Sequence, residues 1–208
     1  MVGIKMLDKL IVIPARYNSS RLPKKILANI HGFPMIYWVA KRIENANLTK
    51  YVVAADNEKV FDVCKKYNIP VVMTNPDLKN GTERVFEVSK IFNEYNNFIN
   101  IQGDEPLINI QVVDDLIGES KSYAFNTAMS KIPAEKPNNV SEVKVALTKE
   151  NRIVYASRAK IPHFQSESTF RYKIQGVYLY SREILERFVN SEMGPLEQYE
   201  SVEQLQVY

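Results

Sequence analysis

The 208-residue sequence contains a single cysteine, Cys64, which excludes an internal disulfide and a cysteine-built zinc site. Its seven glycines are about half the usual share for a chain of this length. None of them lies between Tyr17 and Lys25, which rules out a Walker A loop or a dinucleotide-binding fingerprint in that stretch, since both bring backbone close to phosphate through glycine. A large charge of one sign is missing too. Twenty-seven Lys and Arg against 24 Asp and Glu leave +3, too little to imply a nucleic-acid or membrane partner. No segment reaches the ~18 consecutive apolar residues of a membrane span. Lys5, Asp8 and Lys9 interrupt the N-terminus, which therefore does not read as a signal peptide. The expected compartment is the cytoplasm.

What is present is an ordinary globular composition, 45% hydrophobic and 25% charged, long enough for one domain. Short apolar runs alternate with helical patterns. Leu10–Ile13, closed by Pro14, reads as a buried central strand. Met35–Ala46 carries Ile36, Val39, Ala40 and Ile43 at helical spacing. Strands are predicted at Tyr51–Ala55, Val71–Thr74 and Phe98–Ile101, with helices at Asn57–Tyr67, from about Thr82 to Tyr95, and around Val112–Ile117. This alternation predicts a mainly parallel sheet with right-handed crossovers. The later region changes character. Val143–Leu147 and Ile153–Ala156 read as a hairpin, followed by a strand at Ile174–Tyr180 and helices at about Arg182–Val189 and Leu196–Val207. The prediction is one α/β domain over 1–208, Rossmann-like, its sheet flanked by helices, with an antiparallel excursion at about 140–180.

In such a sheet, ligands bind beyond the carboxyl ends of the strands. Two loops at those ends carry chemistry. Pro14-Ala15-Arg16-Tyr17-Asn18-Ser19-Ser20-Arg21-Leu22-Pro23-Lys24-Lys25 places cations and small polar groups directly after the first strand, where they can hold a triphosphate by charge-assisted hydrogen bonds. A merely solvated basic loop is the plainer reading. Gln102-Gly103-Asp104-Glu105-Pro106 follows the fourth strand, and a carboxylate there can take Mg²⁺ together with phosphate oxygens. Capping a helix is the plainer role for that Asp. A basic loop and an acidic loop together suit magnesium-assisted nucleotidyl transfer.

At this point the wording resembles a family. Ile13 to Pro23 with Lys25 is similar to the opening signature of the 3-deoxy-manno-octulosonate (Kdo) cytidylyltransferases. The likeness continues through Gly32–Ile36, Met73-Thr74, Asn80-Gly81-Thr82-Glu83-Arg84, Asn100–Pro106, Val143–Val145, Tyr155–Ala159 with Ile161-Pro162, Pro195–Glu197 and Glu203-Gln204-Leu205. The resemblance implies a nucleotidyltransferase that moves CMP from CTP to the anomeric hydroxyl of Kdo or a related keto-deoxy sugar acid, for lipopolysaccharide or other surface polysaccharide. It implies Mg²⁺ as cofactor and a homodimer, with the Val143–Ala156 hairpin and the neighbouring strand at its interface.

Residue by residue, the resemblance assigns catalysis to Arg16, Lys25 and Asp104, with Asp104 holding the metal. It assigns CTP binding to Pro14, Ala15, Arg16, Ser19, Ser20, Arg21, Lys25, Thr74, Asn80 and Gly81. Gln102, Arg158, Tyr178, Glu203 and Gln204 are assigned to the sugar, Arg158 facing its carboxylate. Tyr178 reads equally well as core packing, Glu83-Arg84 as a helix cap and ion pair, and Cys64 as a small buried hydrophobe. His31, before Gly32 in a turn, and His163 are not expected to be catalytic, and no dedicated general base is visible.

Two departures from the family pattern stand out. Ile174 occupies a position where many of these enzymes carry histidine, which admits a variant sugar acid. The chain also stops at Tyr208, before a segment that supplies a second metal carboxylate, so slow turnover by a truncated or degenerate nucleotide-binding module is the rival expectation. Sugar-1-phosphate nucleotidyltransferases, another enzyme class with a similar sheet, are disfavoured because their first loop is richer in glycine.

Overall fold

Apolar runs stopped by proline or polar turns become the strands of a mixed α/β fold in the computed structural model, which describes residues 9–18, 22–119, 125–165 and 168–206. The chain divides into two compact units, Met1–Asn126 with Val177–Val189, and Thr127–Gly176 with Asn190–Tyr208.

The first unit begins with β1 (Lys9–Ala15), a small hairpin of β2 (Asn29–Ile30) and β3 (Phe33–Pro34), and α1 (Met35–Ala46). Then come β4 (Tyr51–Ala55), α2 (Glu58–Lys66), β5 (Val71–Met73), α3 (Gly81–Ile91), β6 (Asn97–Ile101) and α4 (Ile110–Glu119). The parallel strands lie in the order β5-β4-β1-β6. Strand order reverses at β1, which is buried at every position and has a parallel neighbour on each side, as a run without alternation requires. The crevice at the carboxyl ends of β1 and β6 is therefore the switch point where such sheets bind ligands.

Local chemistry sets the helix boundaries. α1 buries Ile36, Val39, Ala40 and Ile43 on one stripe and ends at Asn47, which adopts the left-handed conformation at φ 49°. Asn57 caps α2 by accepting from Lys59 N, and Asn80 caps α3 by accepting from Glu83 N. α3 stops at Ile91, short of the predicted Tyr95. Arg182 explains the early end, because its guanidinium donates to the carbonyls of Ser89, Phe92 and Tyr95. His31 and Gly32, both at positive φ, form the turn of the β2–β3 hairpin.

The second unit is antiparallel. Its strands are β7 (Phe125–Pro133), which begins in the first unit, β8 (Lys144–Leu147), β9 (Ile153–Ser157) and the first half of β10 (Phe170–Ser181). β8 and β9 form the predicted hairpin, pairing Val145 with Ala156. β10 is longer than the predicted Ile174–Tyr180 and serves both units. Tyr172 and Lys173 pair with β8, while Val177–Ser181 pair antiparallel with β6. Gly176, at φ 71°, lies between the two paired stretches, a conformation glycine adopts without strain. β7 had no counterpart in the sequence reading. Its burial pattern lacks clean alternation, which hides a strand from a period-2 search.

α5 (Arg182–Asn190) follows β10, and the final predicted helix is broken in two: α6 (Pro195–Glu200) and a 3-10 turn over Glu203–Gln206. Ser201 stands between them in the left-handed region at φ 50°. The carbonyls of Glu200 and Ser201 accept from Arg158 Nε and Nη2. Satisfied there, they need no continuing helical turn.

Candidate active site

The end of β1 and the loop after β6 are in direct contact. Gly103 is why they can be. A Cβ on Gly103 would lie 2.7 Å from the Pro14 carbonyl oxygen and 2.8 Å from Ile26 Cδ1, closer than real side chains come. Ladder pairing between β1 and β6 is recorded only as far as Val12 and Asn100, so Pro14, which has no N–H to donate, lies beyond it. This close approach carries Gln102 and Asp104 to the mouth of the basic loop.

There, Pro14, Arg16, Asn18, Lys25, Ile26, Gly81, Gln102, Gly103 and Asp104 line a cleft of about 90 Å³. Lys25 reaches it from a 3-10 turn at Lys25–Leu27, and its ammonium donates to Asp104 Oδ2 at 2.5 Å. Arg16 Nη1 donates to the Lys79 carbonyl just before α3. Gly81 opens α3, whose N-terminal end favours negative charge. Gln102 Nε2 donates to the buried Asn100 Oδ1 at 3.4 Å. The arrangement gathers two cations, a helix start and one carboxylate at one mouth.

That carboxylate decides what the cleft can do with a metal. No group of three or more His, Cys, Asp or Glu side chains able to hold an ion occurs among the described residues. Asp104, with 40% of its side chain exposed, is one oxygen-donor ligand at a cationic mouth. Such a donor set fits Mg²⁺ shared with substrate phosphates and does not fit an all-protein cage.

The remaining sequence-predicted residues are placed as follows. Ala15 is buried at the end of β1. Thr74 is buried, its hydroxyl donating to Ala55 O and accepting from Arg84. Asn80 spends its side chain on the α3 cap, and Glu83 Oε2 accepts from Lys79 N, one residue before the cap. Tyr178 is 8% exposed and packs against Phe125 and Tyr180. Ser19, Ser20 and Arg21 lie outside the described residues.

Arg158, Glu203 and Gln204 belong to the second unit. Arg158 is not a free cation. Its three guanidinium nitrogens donate to the carbonyls of Glu200, Val140 and Ser201. Gln204 is buried and donates to Glu203 Oε1.

Three residues of this neighbourhood escaped the sequence reading: Asn18 as a lining residue, Asp56 and Asn100. Asp56 Oδ1 accepts from Tyr17 N at 2.8 Å, anchoring the basic loop. Its signal was available, since Asp56 follows β4 as Asp104 follows the neighbourhood of β6. Asp56 also lines a second hollow of about 190 Å³ with Arg16, Tyr17, Asn18, Asn57, Pro76 and Leu78. Arg16 and Asn18 thus border both cavities.

Comparison with known proteins gives one direction. The cytidylyltransferase family matches residues 10–208. A 3-deoxy-manno-octulosonate cytidylyltransferase of Fusobacterium nucleatum is 38% identical over 201 residues, covering 94% of this chain and 82% of the relative. One of the same name from Acinetobacter baumannii is 38% identical, covering 96% and 85%. A solved CMP:2-keto-3-deoxy-manno-octonic acid synthetase complexed with CTP superposes with a TM-score of 0.90 at 34% identity, over 96% of this chain and 84% of that one. A cytidylyltransferase from Leptospira borgpetersenii, 15% identical with a TM-score of 0.60, shares the fold. By these matches and the cleft they accompany, the chain belongs to the 3-deoxy-manno-octulosonate cytidylyltransferase family of nucleotidyltransferase enzymes.

Proposed function

We propose that this protein transfers CMP from CTP to the anomeric hydroxyl of Kdo or a close keto-deoxy sugar acid, supplying an activated sugar for lipopolysaccharide or related surface polysaccharide. The observation that carries the reading is the meeting of Arg16, Lys25 and Asp104 in one cleft at the β1–β6 switch point. In the reaction the sugar oxygen bonds to the α-phosphorus, the bond to the β-phosphate oxygen breaks, and pyrophosphate leaves. The hydroxyl proton passes to solvent, as no side chain among the described residues is placed as a dedicated base.

The barrier is electrostatic, because an oxygen nucleophile must approach a polyanion. Arg16 and Lys25 neutralise the triphosphate, and the start of α3 at Gly81 adds partial positive charge. Lys25, now paired with Asp104, is placed to serve the phosphates of bound CTP, and Asp104 would be the protein's ligand for Mg²⁺. Held there, Mg²⁺ would supply charge for the leaving pyrophosphate and lower the pKa of the sugar hydroxyl. Gln102, held by Asn100, orients a sugar hydroxyl. Within the second unit, Arg158 holds the Glu200 and Ser201 carbonyls that precede Glu203 and Gln204.

Homodimerisation belongs to the same reading. β9 ends the strand order β10-β8-β9, and Val154 on it is 63% exposed, an edge that a second copy would cover. A catalytically idle nucleotide-binding module is disfavoured by the presence of both Lys25 and Asp104 at the cleft. Phosphorus NMR of a mixture of protein, CTP, Mg²⁺ and Kdo tests the chemistry. A CMP phosphodiester and pyrophosphate forming in equal amounts support it, while inorganic phosphate alone contradicts it.

A further inference from the structure

Arg84 is the largest fully buried side chain in the described structure, 0% exposed on the inner face of α3. Its Nη1 donates to Thr74 Oγ1 at 2.5 Å and to the Asn75 carbonyl at 3.1 Å. Nη2 lies 3.9 Å from Asp56 Oδ2, and neither Nη2 nor Nε has a hydrogen-bond partner. A buried cation so thinly matched is a poor way to stabilise a core, where an apolar side chain of similar volume often serves better. Burial is the main influence on the guanidinium and pulls its pKa below the usual arginine value; Asp56 opposes this and Arg16 adds to it.

The groups it touches are informative. Asp56 follows β4, and its other oxygen accepts from Tyr17 N, next to Arg16. Thr74 follows β5, and its hydroxyl passes the contact on to Ala55 O at the end of β4. Asn75 is gripped from two turns of α3, its carbonyl by Arg84 and its N–H by Glu87. One guanidinium therefore joins the loops that leave β1, β4 and β5, all at the binding end of the sheet.

We propose that Arg84 is a positioning residue for nucleotide binding, fixing Tyr17 through Asp56, and the Thr74 hydroxyl and Asn75 carbonyl directly, and thereby placing Arg16 and Asn18 at the cleft. The inference rests on the CTP reading above and adds a residue that does not itself meet the nucleotide. A rigid latch matters because catalytic groups displaced by about 1 Å lose on the order of 10² in rate.

The test is amide hydrogen exchange on Arg84→Met beside wild type, followed by CTP calorimetry on both. The expected result is faster exchange at Tyr17 by tenfold or more, with Val12 and Val53 amides unchanged, and CTP affinity reduced about tenfold. If the methionine variant does not fold, Arg84→Lys, which keeps the charge but not the fork, replaces it, with smaller losses at the same positions. Unchanged Tyr17 exchange and CTP affinity in a folded variant overturn the proposal. Equal loosening at Tyr17, Val12 and Val53 overturns it too, since that marks a general stabiliser. Failure of wild type to bind CTP strikes the functional reading instead, and the exchange pattern still decides the latch.

Discussion

Lys25 and Asp104 stand 79 positions apart in the sequence, and the Lys25 ammonium lies 2.5 Å from the Asp104 carboxylate. Each is more than a third exposed, so the pair contributes little to stability, roughly 0–1 kcal/mol. Its meaning is positional: the cation and the carboxylate that we propose to meet phosphate and metal are held at one point.

Lys25→Ala should therefore leave the fold within about 0.5 kcal/mol of wild type. Turnover should fall by about 10²–10³, the loss seen when one charge-stabilising donor is removed from a transition state. Thermal melting and steady-state kinetics check the two halves separately. Unchanged turnover would make the basic loop a solvated surface.

Gly103→Ala is expected to do more harm than its size suggests. The added methyl meets the Pro14 carbonyl at 2.7 Å and Ile26 at 2.8 Å, so the loop must move away from β1. A loss of about 1–3 kcal/mol follows from overpacking. Because Asp104 moves with the loop, kcat should drop as well. Denaturant unfolding with kinetics on the remaining folded enzyme tests both.

Cys64 is fully buried, and burial pushes its thiol up to about 12. A native-state thiol reagent should leave it unlabelled at pH 8 and label it fully in denaturant. The unfolded thiol ionises first on the alkaline side, near its ordinary value of 9.0. The unfolded state then holds fewer protons than the native one, so stability falls from about pH 9 towards about 12. Tyr51, raised to about 12 by burial, with Glu44 and Cys64 adding to it, contributes in the same direction above its usual 10.0. Cys64→Ala should flatten the lower part of this decline in melting temperature against pH.

Glu200 organises the second unit's end. Its carboxylate accepts from the Tyr155 hydroxyl, the Ser157 hydroxyl and the Arg158 N–H. Burial pushes its pKa up, but hydrogen bonds led by Ser157 and Arg158 outweigh that and hold it below the ordinary carboxylate value. A lowered folded pKa gives stability that is present at neutral pH and lost on acidification. Glu200→Gln should cost about 2 kcal/mol at pH 7, from weakened charge-assisted bonds, and much less at pH 3. Urea unfolding at the two pH values measures the difference.

The parts of this protein legible in its sequence are those set by local pattern. Apolar spacing gave α1 its limits of Met35 and Ala46, and a buried run bounded by polar residues placed β4 at Tyr51–Ala55. The ends that failed were fixed by distant side chains. Arg182 closes α3 from the start of α5 some 90 residues on, and Arg158 breaks the C-terminal helix from 43 residues before. The site shows the same division. Lys25 and Asp104 follow from motif and strand-end position. The burial of Arg84, the engagement of Arg158 with three carbonyls and the link from Asp56 to Tyr17 depend on tertiary packing, which spacing does not encode.

The central claim is that CMP transfer occurs at the cleft holding Arg16, Lys25 and Asp104. The most direct measurement is continuous pyrophosphate release with CTP, Mg²⁺ and Kdo, for wild type and Asp104→Asn. The account predicts Kdo-dependent release by wild type and a loss on the order of 10² or more in the asparagine variant, which folds and binds CTP as before. No Kdo-dependent release by wild type, or equal release by a folded Asp104→Asn protein, would contradict it.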